Sequence, residues 1–140
     1  MKTIAALLLV LLAGGCMNHA SDPPRSTQEF TAELSGTGAA HGRVTALYSP
    51  ATRILKWRMN FRDLSGPVTW AFFQGPDGVG NERADIVPIN PPFEAGAHRG
   101  GATLTDRQGV DLVAGRWSVA IRTEKYPAGE LIGVLVPVPR

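Results

Sequence analysis

The sequence predicts a single all-β domain, an antiparallel immunoglobulin-like β-sandwich or barrel, preceded by a signal peptide and a flexible tether. Apolar and polar residues alternate with a period of two in several short runs, as they do in half-buried strands. Glycine and proline are frequent, at 16 and 11 of 140 residues, and convincing helices are missing. The length suits one domain with a core of its own.

The first 15 residues have the features of a secretory signal peptide. Lys2 provides a positive start, and an unbroken apolar run covers residues 4–12, which is too short to cross a bilayer as a helix. Small residues lead to Cys16, the single cysteine, so an intramolecular disulfide is excluded. The arrangement resembles the lipobox of bacterial lipoproteins, although Ala13 stands where leucine is usual. The resemblance implies cleavage before Cys16 and a lipid such as palmitate on its thiol; ordinary secretion with a free thiol is the alternative.

These features predict a location in a bacterial cell envelope, with the chain attached to the membrane through Cys16 and facing the periplasm or the cell exterior. Met17 stands where an aspartate would favour retention in the inner membrane, so the outer membrane is favoured in a host with two membranes. Residues 16–28 are polar, carry two prolines and lack an apolar period, which predicts a flexible tether. The β domain is assigned to residues 29–137.

The predicted strands follow one another along that domain, separated by loops rich in turn-forming residues. They cover residues 30–35, 43–49, 53–63, 68–74, 84–89, 116–123 and 130–136, with a further strand signal from residue 100 and an irregular loop at 90–99. Pro88 confines its segment to a sheet edge or a short strand, because proline cannot donate a ladder hydrogen bond. The cleanest alternation lies at 53–63, where apolar residues from Leu55 to Phe61 alternate with polar ones.

The polar side of that strand is cationic, with Lys56, Arg58 and Arg62. One interpretation is a solvated face that discourages aggregation. The other is a surface for an acidic partner such as lipid head groups or an anionic glycan. Nucleic acid is not expected as a partner, because the net charge of the whole chain is only +2.

Several pieces of the sequence, in their order and spacing, resemble the CHRD domain, a module named after chordin. They are FTAELSG at 30–36, LSGPVT at 64–69, GP at 75–76, ATLTDRQ at 102–108, L.AG at 112–115 and T...PAGE..G.L at 123–135. The resemblance covers residues 30–135, essentially the whole β domain. It implies an antiparallel β-sandwich or barrel of immunoglobulin-like type.

Members of that family commonly carry a His-x-His pair on the strand matching VTWAFFQGP and a further histidine before the position of Thr123, a set that could converge on a metal ion. Here Phe72, Gln74 and Arg122 occupy those places. A phenyl ring cannot ligate and a protonated arginine repels a cation, so neither a metal nor another cofactor is expected. The arginine and glutamine of the family's last motif are likewise replaced, by Ile132 and Val134.

What remains at that location is a candidate recognition surface for a small apolar or anionic ligand. Its residues are Trp70, Phe72, Gln74, Arg122 and Glu130. Ordinary core and sheet packing is the alternative interpretation of the aromatic group. We also expect Arg122 and Glu130, which flank the last hairpin, to pair across it.

Other combinations of reactive side chains are weak. His19 lies in the tether, and His41 and His98 fall in Gly-rich stretches far apart, which is typical of loop histidines. Oxygen ligands for calcium occur at Asp77, Asn81, Glu82 and Asp85, but their spacing matches no EF-hand and a plain turn is favoured.

No motif for catalysis is present. The expected function is a binding or interaction module without catalytic activity. Two alternatives stay open: a metal-binding protein or metalloenzyme on the same sandwich, and a purely structural envelope protein.

Overall fold

Antiparallel strands make up most of the computed structural model, which describes residues 26–76, 83–94 and 96–140. The elements are β1 (Gln28–Gly36), β2 (His41–Ser49), β3 (Ile54–Arg62), β4 (Val68–Pro76), β5 (Arg83–Pro88), β6 (Ala97–Thr103), α1 (Asp106–Val113), β7 (Ser118–Thr123), β8 (Leu131–Val134) and β9 (Val136–Pro137). The predicted signal peptide and Cys16 lie outside the described residues. Within those residues no helix has the length and apolar character needed to span a membrane.

The strands form one sheet that curls into a nearly closed barrel, which confirms the all-β antiparallel fold. Their order is β5-β4-β7-β8-β1-β2-β3-β6, and β9 pairs with β1. Strand β5, which carries Pro88, lies at one end of this order, as predicted. The two ends of the order are joined through the core, where Trp57 of β3 packs edge-on against Phe73 of β4 with ring centroids 5.0 Å apart.

The two-residue period places one side of each of the first three strands in the core. The inner residues are buried: Phe30, Ala32 and Leu34 in β1, Val44, Ala46 and Tyr48 in β2, and Leu55, Trp57, Met59 and Phe61 in β3. Burying one large apolar side chain stabilises the fold by about 1.5–3 kcal/mol relative to leaving it in water. The alternation that the sequence shows is therefore sufficient to orient these strands.

Helix α1 contradicts the expectation that convincing helices are missing. Thr105 caps its first turn: the Thr105 hydroxyl accepts a hydrogen bond from the Gln108 N–H at 3.2 Å, and the Gln108 side chain accepts one from the Thr105 N–H at 2.9 Å. Gly115 ends it with φ at 73° and donates its N–H to the Leu112 carbonyl at 3.0 Å. These are a capping box and a glycine C-terminal cap. Eight residues are too few for the helical period to show, so the caps are the signal in the sequence.

His98 is not a loop residue, contrary to the prediction, because β6 begins at Ala97 within the segment expected to be an irregular loop. Its side chain is 9% exposed. The Trp57 Nε1–H donates to His98 Nδ1 at 3.3 Å, and His98 Nε2 lies 2.7 Å from the Asn90 carbonyl oxygen. Since an indole nitrogen can only donate, the proton of the neutral imidazole is on Nε2 and points to Asn90. His98 thus ties β6 to the segment that follows β5.

The last predicted strand, 130–136, is divided in the structure. Strand β8 begins at Leu131 and pairs with β7 on one side and with the end of β1 on the other. Strand β9 begins at Val136 and pairs with an earlier part of β1. Between them the Leu135 N–H donates to the Trp117 carbonyl at 2.9 Å, and the Leu135 side chain is fully buried.

Candidate recognition surface

Four of the predicted site residues share the outer face of β4 and β7. The register pairs Trp70 directly with Arg122, and Phe72 and Gln74 lie opposite the next outward residues of β7. Directly paired residues of antiparallel strands point to the same side of the sheet. Phe72, Gln74 and Arg122, which occupy the places where the resemblance to the CHRD domain implies histidines, are therefore brought together.

The aromatic part of this surface is Trp70 with Phe72. Trp70 is 65% exposed, and its ring stacks on that of Phe72 with centroids 6.2 Å apart and an interplanar angle of 24°. The Arg122 guanidinium carbon lies 5.3 Å from the centroid of the Phe72 ring, within the range of a cation–π contact. Trp57 and Trp117 are buried. Among the described residues, Trp70 is therefore the tryptophan whose ring is exposed to water.

Asp85 of β5 completes the polar part of the surface. Its Oδ1 accepts hydrogen bonds from Gln74 Nε2 at 2.7 Å and from Arg122 Nη2 at 3.0 Å. The side chains of Arg122 and Asp85 are 23% and 29% exposed. The sequence predicts Asp85 only as one of the oxygen ligands for calcium, and Asp77, Asn81 and Glu82 of that set lie outside the described residues. The pairing of β5 with β4, which sets Asp85 opposite Gln74, places it on this surface instead.

This cluster does not fit a metal ion of the kind that the family's histidines imply. Phe72 has no electron pair to donate, and the permanent charge of Arg122 opposes a cation. Gln74 offers only a weak oxygen ligand, and the Asp85 carboxylate beside it is already paired with Arg122. In the part of the chain that the structure describes, no group of three or more His, Cys, Asp or Glu side chains is arranged around a common point.

Glu130 does not belong to this surface, and its predicted pairing with Arg122 is wrong. Arg122 pairs with Asp85, whereas Glu130 is 3% exposed. Its carboxylate accepts hydrogen bonds from the Ser65 N–H at 2.7 Å, the Ser65 hydroxyl at 2.8 Å and the Thr123 hydroxyl at 2.6 Å. Arg122 and Thr123 are neighbours in a strand and point to opposite sides of the sheet. A carboxylate bonded to the inward Thr123 cannot meet the outward Arg122.

The surroundings of Glu130 keep its carboxylate ionised. Burial alone raises the pKa of Glu130, but the hydrogen bonds from Thr123 and Ser65 and the charge of Lys125 outweigh burial, so that the pKa lies below its ordinary value. The Ser65 and Thr123 hydroxyl groups each donate their single proton to this carboxylate. Protonation of Glu130 would therefore break one of the hydrogen bonds that the carboxylate accepts. The residue joins the turn before β4 to the β7–β8 hairpin, which is a structural role.

Two aliphatic residues of β8 extend the aromatic part of the surface. Ile132 pairs with Ala120 of β7 and Val134 pairs with Ser118, so both lie on the same outer face as Phe72. They are 46% and 48% exposed. We call Trp70, Phe72, Ile132 and Val134 together the apolar strip; its aromatic part is on β4 and its aliphatic part on β8, with the buried Ala120 of β7 between them.

The cationic residues of the prediction lie elsewhere. Lys56, Arg58 and Arg62 are exposed on the outer face of β3, as the alternation predicts. In the strand order β3 is four places from β7, so these cations occupy the opposite side of the barrel from the apolar strip.

Comparison with known proteins identifies one family. The family model described as the CHRD domain matches residues 25–135, which include β1 to β8 and the residues of the apolar strip. No curated protein and no solved structure matches the chain.

Proposed function

Because the chain belongs to the CHRD-domain family, whose fold is a β-barrel-like module, we propose that it is a lipid-anchored binding module of the bacterial cell envelope without catalytic activity. The observation that carries the binding role is the apolar strip. Trp70 is 65% exposed, and two further apolar residues, Ile132 and Val134, are about half exposed on the same outer face two strands away. Several exposed apolar side chains on one face are unfavourable in water and are typical of interaction sites.

The chemistry of the strip favours a protein partner in the envelope. Ile132 and Val134 offer only apolar contact, and Trp70 offers a large rigid surface of the type enriched in protein interfaces. Gln74 and Arg122 lie beside it, and their hydrogen bonds to Asp85 hold both side chains in place. A partner that covers Trp70 with an apolar side chain and reaches this polar cluster with a hydrogen-bonding group would match the surface. A glycan or a small ligand is the competing occupant.

The membrane anchor is supported by the sequence alone. The apolar run at 4–12, the small residues before Cys16 and the polar stretch that follows form the pattern of a lipoprotein precursor. Residues 17–28 reach at most about 40 Å when fully extended, so the barrel stays near the membrane. The proposed location is the periplasmic side of the outer membrane, or the cell exterior in a host with one membrane.

Mass spectrometry of the mature protein from its own host tests the anchor. A diacyl or triacyl mass on Cys16 as the first residue is expected, and Cys16→Ser should leave the chain without the lipid and without cleavage before residue 16. A mature N-terminus at another residue, or an unmodified thiol, would contradict the proposal.

Photo-crosslinking tests the apolar strip. The full chain is produced in its host with a photoreactive amino acid in place of Trp70, and a matched variant carries the same group at Glu124, which is exposed on the β7–β8 hairpin. A discrete protein adduct is expected from position 70, absent at position 124 and abolished by Val134→Asp in the same chain. Equal adducts at both positions would show that the strip is not a specific surface, and a glycan adduct would replace the protein partner.

Metal analysis of the purified full chain tests the competing function. Stoichiometric zinc or copper would favour a metal-binding protein or metalloenzyme on the same barrel. A chain that keeps cells intact but yields no adduct and no metal would fit a purely structural envelope protein.

A further inference from the structure

A second surface lies on the outer face of β2, β3 and β6. Its centre is a pair of arginines: the register places Arg58 of β3 directly opposite Arg99 of β6, and both side chains are exposed. Like charges placed directly opposite each other on neighbouring strands destabilise a sheet. The Arg58–Arg99 pair is therefore expected to lower the stability of the sheet.

Further cations lie along the same face. Lys56 precedes Arg58 by two residues on β3, and Arg62 lies at the far end of the strand, both exposed. Within residues 26–76, 83–94 and 96–140, none of these four cations forms an ion pair with a carboxylate. Their charge is therefore directed to solvent or to a partner of negative charge. We call Lys56, Arg58, Arg62 and Arg99 the basic face.

The basic face is open and has an apolar end. The remaining outward residues of edge strand β6 are small: Ala97, Gly101 and Thr103. At one end of the face, Leu47 of β2 and Ile54 of β3 are 50% and 38% exposed. They are diagonal neighbours, because Leu47 pairs with Lys56 and Ile54 pairs with Ser49. Cations and aliphatic side chains thus share one side of the barrel.

The chain enters the barrel at that apolar end. Strand β1 begins at Gln28, which pairs with Tyr48, the neighbour of Leu47. From this end β3 runs for nine residues, about 30 Å at roughly 3.3 Å per residue. A chain attached to a membrane at Cys16 therefore presents the length of this face to the same membrane without turning the barrel over.

We propose that the basic face docks on the anionic head groups of the membrane that carries the anchor. The guanidinium groups of Arg58 and Arg99 bind lipid phosphates, Lys56 adds a point charge, and Leu47 and Ile54 contact the boundary between head groups and acyl chains. Docking leaves the apolar strip on the far side of the barrel, accessible to a partner. The orientation depends on the anchor of the proposed function, but the affinity for an anionic surface does not.

Vesicle binding by the full chain carrying Cys16→Ser tests this without the lipid. The probes are phosphatidylcholine vesicles with and without phosphatidylglycerol, read by sedimentation at increasing salt. Any binding by the apolar run at 4–12 is common to all variants. The test variant is Arg58→Gln with Arg99→Gln, and the control is Lys125→Glu, which changes the net charge equally on the exposed β7–β8 hairpin.

The expected result is that phosphatidylglycerol increases binding above the level on pure phosphatidylcholine. This increment should weaken with salt and fall roughly 30-fold in the test variant, since each cation near an anionic surface contributes about fivefold. The control should lose much less, because charges more than a screening length from the basic face contribute little to its attraction for an anionic surface. Thermal unfolding of both variants at the wild-type temperature confirms that they are folded.

Equal losses in test and control, or binding that is the same with and without phosphatidylglycerol, would overturn the proposal. Binding to dextran sulfate but not to the anionic vesicles would also overturn it and would point to an anionic glycan. Vesicle binding with no lipid on native Cys16 would overturn the anchor and leave the basic face intact.

Discussion

Replacing Glu130 by alanine should lower the free energy of unfolding by about 3 kcal/mol. The carboxylate accepts hydrogen bonds from the Ser65 N–H, the Ser65 hydroxyl and the Thr123 hydroxyl, and a bond to a charged group contributes about 1.5–3 kcal/mol. The loss is smaller than the sum of the three hydrogen bonds, because Ser65 is exposed and its N–H and hydroxyl can hydrogen-bond to water instead. Thr123 is 1% exposed, and its hydroxyl keeps only the long contacts of 3.3 Å with the Ser65 hydroxyl and the Tyr126 N–H. Loss of the charged acceptor for its buried proton costs about 1–3 kcal/mol.

Urea and thermal unfolding of the full chain, followed by circular dichroism, measure this loss. The alanine variant should unfold about 10 °C below wild type. Glu130→Gln should lose about 2 kcal/mol, because one amide oxygen still accepts while the amide nitrogen faces donors. Glu124→Gln on the exposed part of the same hairpin is the control. A loss below about 0.5 kcal/mol in Glu130→Ala, or one no larger than in the control, would refute the structural role of Glu130.

The pH dependence of the same difference provides a second measurement. Because the pKa of Glu130 is lower in the folded chain than its value of about 4.3 in the unfolded chain, ionised Glu130 stabilises the fold fully above the unfolded pKa. This contribution is lost as the pH falls through the lower folded pKa. The stability difference between wild type and Glu130→Gln should therefore be constant near neutral pH and narrow in acid. A difference that widens in acid would mean that the neutral carboxyl is the favoured form.

Two further predictions concern the strands around the core. Gly100→Ala should lower the free energy of unfolding in urea by about 1–3 kcal/mol, because a Cβ there would lie 2.5 Å from Trp57 Cζ2. Gly101→Ala should lower it less, because its Cβ would lie 3.2 Å from the nearest atom. Equal losses in the two variants would contradict this account. A double-mutant cycle with Arg122→Gln and Asp85→Asn should give a coupling of about 0.5–1 kcal/mol for this partly exposed ion pair, and purely additive losses would show that the pair does not form in solution.

The alternation of the sequence was sufficient to predict the fold class and the inner faces of the first three strands. Each strand from β1 to β3 buries its apolar side against the common core, so that the local pattern and the tertiary structure agree. The edge position of β5 followed from another local feature, Pro88, which has no N–H to donate to a neighbouring strand. Both predictions depend only on residues within one strand.

Short elements and buried polar groups were harder to predict. Helix α1 has eight residues, and its evidence lies in the caps at Thr105 and Gly115 and not in a period. His98 looked like a loop residue because its neighbours are glycines, yet Gly100 is needed where the strand passes the Trp57 ring. In both cases the structure depends on a hydrogen bond or contact between particular residues. An apolar period carries no information about such contacts.

The amino-acid sequence by itself determined which side chains face outward on each strand, and so it placed Trp70, Phe72, Gln74 and Arg122 on candidate surfaces. Only the tertiary structure decided which other side chains lie beside such residues. The register of β5 with β4 brought Asp85 to Arg122, that of β3 with β6 brought Arg99 to Arg58, and the β7–β8 hairpin turned Glu130 inward to Thr123. The physical reason is that a two-residue period specifies a direction within one strand, whereas the strand that lies beside it is set by contacts between residues far apart in the chain.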